Sequence, residues 1–329
     1  GDLPKPQNNS MEESVQPFVI DLVYLWVDGS DPAWLAKKHQ VTGIVSEHTE
    51  TNNKGRYSNN DELRYSLRSV ERNVPWVRNI FIVTDNQSPY WLKRDHPKIR
   101  LVDHREIMPA EALPCFNSSV IEYFIHKIPG LADRFLFAND DMFFPKSLSP
   151  DYFFNPEGLP YVRLKRKILG RWHYPVKKLF RRRLGQYMTM VLEGSAAVHQ
   201  RFGRLYSGIP HHNVDAFVTE DYRFVVENVF SDWVKSSLQN HVRQYGDLHR
   251  SAFSYYMLAT GKAVLKYVNK RESLRLNLHR LKFMQRLKKY DPDLFCLNDN
   301  QRVRDEDRVA IEPFLKELFP DQSSFEKIF

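Results

Sequence analysis

The sequence predicts an α/β fold: a mostly parallel sheet with helices on both faces, extended by a basic helical C-terminal part. Three observations carry the prediction. From Phe18 to about Phe154, short apolar runs alternate with helical patterns, as strands and crossover helices do in parallel sheets. The apolar runs stop at turn signals or carboxylates. From about Leu159 the texture turns helical and basic.

Taken in order, Phe18 to Val27 is rich in β-branched and aromatic residues and ends at Asp28-Gly29, which marks a buried strand. Asp61 to Glu71 sets Leu63, Leu67 and Val70 on one helical face, with Asn60 or Asp61 as cap. Asn79 to Thr84 is a second strand, ended by Asp85, and Ile99 to Val102 a short third. Ser118 to Lys127 reads as a helix capped by Ser118 or Ser119. Phe135 to Ala138 is a fourth strand, running into Asn139-Asp140-Asp141. Helices are expected at Tyr222 to Leu238, His249 to Thr260 and Asp305 to Leu318, with a basic amphipathic one at Glu272 to Tyr290.

Composition narrows the class. A chain of 329 residues, 42% hydrophobic and 13% aromatic, can bury a sizeable core. No apolar run approaches the roughly 20 residues of a membrane span. The polar, Pro-rich start lacks the basic and apolar regions of a signal peptide, and residues 1–17 read as a flexible lead-in. Cys115 and Cys296 are too few for a disulfide framework and are expected as buried free thiols, which fits a reducing compartment. A net charge of +8 favours anionic partners. Neither GxGxxG nor GxxxxGK[ST] is present.

Ligands of open parallel sheets bind outside the carboxyl ends of the strands. Asp28, Asp85 and the pair Asp140-Asp141 all follow strands, so the pattern gathers acids on one rim. Adjacent carboxylates there suit magnesium or manganese held against a diphosphate, or equally a helix cap and a solvated acid. Glu122 lies among apolar neighbours and is a candidate general base, with a surface glutamate as the alternative. His211 and His212 are adjacent and point apart, so one of them is a candidate acid, base or phosphate donor. The planar fork of Arg243 suits phosphate oxygens. Phe295 to Asn300 repeats the pattern of an apolar run ending in Asn-Asp, so Asn298 and Asp299 belong either to a second oxygen pair or to an Asx turn. The basic stretch Arg163 to Arg183 suits an anionic acceptor, a membrane surface, a nucleic acid backbone or plain solvation.

Together these segments resemble a known family. DLVYLWVDGSDPAW, RYSNNDELRYSLRSVERNVPWVRNIFIVTDNQSPYWL and LPCFNSSVIEYFIHKIPGLADRFLFANDDMFF are similar to the first two conserved blocks of the Stealth proteins. GIPHHNVDAF, HVRQYGDLHRSAFSYYMLATGK and LFCLNDN resemble the third and fourth. The resemblance implies a Rossmann-like core, a divalent cation (magnesium or manganese) and transfer of a hexose-1-phosphate, such as an N-acetylhexosamine-1-phosphate, from a nucleotide-diphosphate sugar to a saccharide hydroxyl. Capsular or cell-surface polysaccharide synthesis is the implied setting, in the cytoplasm or peripherally at the inner face of the membrane. The implied catalytic residues are Glu122, Asp141, His211 and Arg243, and the metal ligands Asp140, Asp141 and Asp299. Trp26, Asp28, Gly29, Arg56, Asp61, Arg64, Arg68, Asn117, Asn139 and Asn298 are the expected substrate contacts. The third block matches only at its second histidine, on His211, so His212 or another group remains open for that role. Residues 18–329 are expected as one catalytic domain, a core of 18–154 completed by a mostly helical 155–329. The alternatives are a metal-dependent glycosyltransferase releasing nucleoside diphosphate, and a basic anion-binding module without catalysis. The acidic rim argues against nucleic acid as a partner, and oligomeric state is left open.

Overall fold

The computed structural model describes residues 18–43, 61–167, 176, 179, 185–206, 208–279, 282–299 and 302–329. The lead-in 1–17, Arg56 and most of the basic stretch 163–183 lie outside the described residues. In chain order the N-terminal elements are β1 (Ile20–Leu25), α1 (Pro32–Thr42), α2 (Glu62–Asn73), β2 (Ile80–Thr84), β3 (Ile99–Asp103), α3 (His104–Ile107), α4 (Ser118–Glu122), β4 (Arg134–Asn139) and β5 (Met142–Phe143). There follow β6 (Tyr161–Arg166), α5 (Gln186–Phe202), β7 (Gly208–Pro210), β8 (Asp215–Val218), α6 (Thr219–Phe224), α7 (Ser231–Ser237) and α8 (Ser251–Ala259). The chain ends with β9 (Val264–Tyr267), β10 (Ser273–Asn277), α9 (Phe283–Tyr290), β11 (Leu294–Asn298), α10 (Asp305–Val309) and α11 (Ile311–Leu318).

The central sheet has the order β3-β2-β1-β4-β8. Its first four strands are parallel and β8 runs antiparallel to β4. Alternation along each strand divides the core into two layers. Ile20, Leu22, Tyr24, Ile80, Ile82, Leu136 and Ala138 pack on one face with Leu63, Leu67 and Val70 of α2, as the helical spacing predicts. Val23, Phe81, Val83, Phe135 and Phe137 face the other way, toward α8 and its neighbours. The predicted α/β class, with helices on both faces, holds. Cys115 and Cys296 are buried and free, as expected.

Several local expectations fail for physical reasons. Glu272 to Tyr290 is not one helix but β10, a turn and α9. Leu274, Leu276 and Leu278 alternate at period two and are buried, and β10 pairs in parallel with β11. The run of basic residues masks that alternation. Strands β6 to β10 follow Phe154, where a helical texture was expected, while β11 falls where Phe295 to Asn300 repeats the pattern of residues 135–141. Tyr222 to Leu238 is interrupted by a π-helical turn at Val225–Val229. α4 stops at Glu122, and its cap is Asn117, whose side chain accepts from Ser119 N. Asp61 precedes α2 in a left-handed conformation without a side-chain capping bond. Among the described residues no helix is long and apolar enough to cross a membrane.

Candidate active site

After β3 the chain crosses to the far side of β1 to form β4, so the strand order reverses at the β1–β4 boundary. In open α/β sheets that reversal leaves a crevice at the carboxyl ends of the strands. A cleft of about 810 Å³ opens there, lined by Trp26 and Val27 after β1 and by Asn139, Asp140 and Asp141 at the end of β4. Only Asp140 and Asp141 separate β4 from β5, so both carboxylates are clamped between strands of two different sheets. The carbonyl of Asp141 accepts from Leu297 N at 3.0 Å, fixing the turn against β11.

Glu62, the first residue of α2, is buried at the same end of the cleft. Burial, then the charge of Glu62, pushes the Asp141 carboxyl up to about 7. The same two causes hold Asp140 well above the usual carboxylate range. Asp141 Oδ1 is buried and has no hydrogen-bond partner among the described residues. Arg275 faces Asp141 and lowers its carboxyl, by less than burial and Glu62 raise it.

Arginines line the same cleft. Arg250, just before α8, is buried and donates to Glu122 Oε1 and, at 3.0 Å, to Asp215 Oδ2. Its guanidinium lies 4.0 Å from the centre of the Phe137 ring. Burial opposes its charge, but Glu122 and Asp215 outweigh that and raise its pKa. Burial raises Glu122 by more than Arg250 and Arg243 lower it. Burial also works against the charge of Asp215, yet His211 and Arg250 hold its carboxyl down at about 2. Arg243 lines the cleft and donates to Ser118 Oγ at 2.9 Å. Arg275 donates to Asn298 Oδ1 at 2.7 Å, and Asn298 in turn to Asn277 Oδ1 at 2.7 Å.

The two histidines separate. His211 is 2% exposed, with Nδ1 on Ser273 Oγ at 3.1 Å and Nε2 on the Val214 carbonyl at 3.0 Å, and it does not line the cleft. His212 does, turned outward by a left-handed backbone (φ 54°) and packed against the Tyr187 ring. Burial, with Arg275 and Arg250, pushes His212 down to about 3.

Of the residues singled out in the sequence, Trp26, Glu122, Asn139, Asp140, Asp141, Arg243, Asn298 and Asp299 meet in the cleft. Asp85 and His212 line it too, whereas Asp28, Gly29, Asp61, Arg64, Arg68, Asn117 and His211 do not. Asp28 accepts from Ser30 and, with Gly29, shapes the turn after β1, which Gln87 braces. Asp61 Oδ2 accepts from Tyr90. Arg64 and Arg68 both pair with Glu326 in the C-terminal segment. Asn117 is fully buried and donates to the Asn240 carbonyl and to Asp247. Asp299 lines the cleft with both its oxygens bonded to Arg308, at 2.9 and 3.0 Å. Among the described residues no three His, Cys, Asp or Glu side chains are grouped to hold a metal ion.

Sequence reasoning missed Glu62, Asp215, His249, Arg250 and Arg275, all of which line the cleft. Glu62 was hidden beside the expected cap Asp61. Asp215 and Arg250 sit in the segments that carry the resemblance, and only the fold brings them to one wall.

A reversed-order α/β sheet with a crevice lined by both carboxylates and arginines defines the class of this protein. Models of Stealth conserved region 1, region 2 and region 4 match residues 18–46, 56–162 and 285–328. The capsular polysaccharide phosphotransferase fcs1 of Haemophilus influenzae is 33% identical over 303 residues, 86% of this chain and 79% of that one. The chain belongs to the Stealth family. An exopolysaccharide phosphotransferase of Streptomyces coelicolor is 34% identical over 328 residues, and this chain spans 57% of its length. Among solved structures, the galactosyltransferase LgtC with donor and acceptor sugar analogues has a TM-score of 0.45 at 13% identity, over 92% of this chain and 96% of that one.

Proposed function

We propose that this chain moves a hexose-1-phosphate from a nucleotide-diphosphate sugar to a saccharide hydroxyl, in the synthesis of a capsular or other cell-surface polysaccharide. The observation that carries it is that one cleft is lined both by carboxylates, Glu62, Asp140 and Asp141, and by arginines, Arg243, Arg250 and Arg275. Its family membership supports the same chemistry. Peripheral work at the inner face of the membrane is part of the proposal.

The orphaned Asp141 Oδ1 and the crowding of like charge around it fit a divalent cation, magnesium or manganese, at Asp140 and Asp141. Two carboxylates leave the rest of the shell to phosphate oxygens and water, which is how magnesium usually binds. Bound there, the cation supplies positive charge to the donor diphosphate. Asp299 is engaged by Arg308 and is left out of this set.

The acceptor hydroxyl attacks the phosphorus next to the sugar, the bond from that phosphorus to the bridging oxygen breaks, and nucleoside monophosphate leaves. Glu122 takes the hydroxyl proton, and its raised pKa brings it nearer the working pH of a base. Arg243 stabilises charge on the phosphoryl oxygens. His212, rather than His211, takes the histidine role as a neutral hydrogen-bond partner in the cleft. The rest is positioning, as in phosphoryl transfer generally.

Incubation with a panel of nucleotide-sugars, an oligosaccharide acceptor and magnesium, read for the nucleotide released, tests this. Nucleoside monophosphate, lost on adding chelator, is the expected product. Nucleoside diphosphate would mean attack at the anomeric carbon and an ordinary glycosyltransferase.

A further inference from the structure

At the β2 side of the cleft lie groups that the proposed transfer does not use. Asp85 follows β2 and His104 opens α3, and both line the cleft beside Trp34, Cys115 and Phe116. Lys37 of α1 donates to Asp85 Oδ1 at 3.0 Å. The second oxygen, Asp85 Oδ2, and Nδ1 of His104 are buried without a hydrogen-bond partner among the described residues. His104 is 7% exposed. Buried polar atoms without partners are uncommon in native structures and call for an explanation. Trp34 and Phe116 meet edge to face, with ring centres 5.4 Å apart, and give the same region an apolar wall.

We propose that Asp85 and His104 read the nucleobase of the donor, Asp85 by accepting an N–H of the base edge and His104 by pairing with the polar atom beside it. This rests on the nucleotide-sugar reading above. The layout of the cleft orients the donor. Glu122, Arg250 and Asp215 join α4 to the β8 edge, so the reacting end lies on the far side of the Asp140-Asp141 pair. The β2 side is left for the other end of the donor, which is the base. Only β1 separates β2 from β4, so two strand spacings, ~10 Å, lie between Asp85 and the acidic pair. A phosphate seated at Asp85 itself would meet a carboxylate, whereas a planar base brings the donor that the carboxylate needs. Burial also pushes His104 down to about 4, so at neutral pH its ring is uncharged and offers one donor and one acceptor.

Calorimetric titration of the full chain with uridine, cytidine, guanosine and adenosine diphosphates, and with inorganic pyrophosphate, all in magnesium, tests the assignment. One base should bind tightest. In Asp85→Asn and Asp85→Ala the affinity for that nucleotide should fall about 10- to 100-fold, the loss of one hydrogen bond to a charged group, and the preference among bases should flatten. Pyrophosphate affinity should stay at the wild-type level, which also certifies a folded cleft. If Asp85 variants prove unfolded by that criterion, His104→Gln carries the same expectation. Variants that bind pyrophosphate normally and keep the wild-type base preference would overturn the subsite alone. Pyrophosphate binding without binding of any nucleotide to the wild-type chain would overturn the nucleotide-sugar reading, and the subsite with it.

Discussion

Arg250 is 7% exposed and stays charged because two carboxylates face it, Glu122 from α4 and Asp215 from β8. Removing one partner of a buried ion pair strands the others without water or counter-charge. Arg250→Met is expected to lower unfolding free energy by about 3–5 kcal/mol in urea titrations. In the acidic pair, Asp141→Asn is expected to lower kcat by about 10²–10³-fold at saturating magnesium, because it removes one of the two carboxylates proposed to hold the cation against the donor diphosphate. Near wild-type turnover would contradict the assignment. His126 reports on pH. Burial, with Arg223 and Lys127, pushes it from 6.5 down to about 3. Its folded pKa thus lies below its unfolded one, so its stabilisation is present above 6.5 and is lost as pH falls toward 3. Wild type should therefore lose about 2 kcal/mol relative to His126→Phe between about pH 7.5 and about pH 5, by paired urea titrations.

Among the elements, α2 is tied to the C-terminal segment through Glu326, which bonds Arg64 and Arg68 while Arg68 also donates to the Phe319 carbonyl. Glu326→Ala leaves Arg68 buried without its carboxylate and should cost about 3–5 kcal/mol, measured as a fall in unfolding free energy. Specific activity per folded molecule should hold if these arginines serve the fold rather than a phosphate. The elements that were legible in sequence were those whose period matched one local pattern. β1, β2 and β4 read as buried apolar runs, and α2 showed Leu63, Leu67 and Val70 on one face. β10 was illegible because Arg275 and its basic neighbours hid the alternation of Leu274 and Leu276, and because its pairing partner β11 comes after α9. The π-helical turn after α6 was equally hidden, since no sequence pattern marks where a helix widens.

For the molecule as a whole, magnesium is expected to act as a stabilising ligand. A ligand that binds only the folded state at 100 times its Kd adds about 2.7 kcal/mol. The melting temperature should rise with magnesium for wild type and stay flat for Asp141→Asn, a readout independent of turnover. The rim of acids was legible because Asp85, Asp140 and Asp141 each follow a strand. The facing wall was not, because Glu122, Asp215 and Arg250 are far apart in sequence and only the sheet order brings them together.

The direction of β8 has a consequence of its own. Running against β4, it sets Asp215 opposite Phe137, near the rim, and Val218 opposite Arg134 at the base of the sheet. A strand laid the other way would bring Val218 to the rim, beside Phe137, and set Asp215 at the foot, opposite Arg134 and away from Arg250. Chain polarity cannot be altered by exchanging side chains, so the place of Asp215 at the rim depends on the heading of β8 as much as on the residue itself.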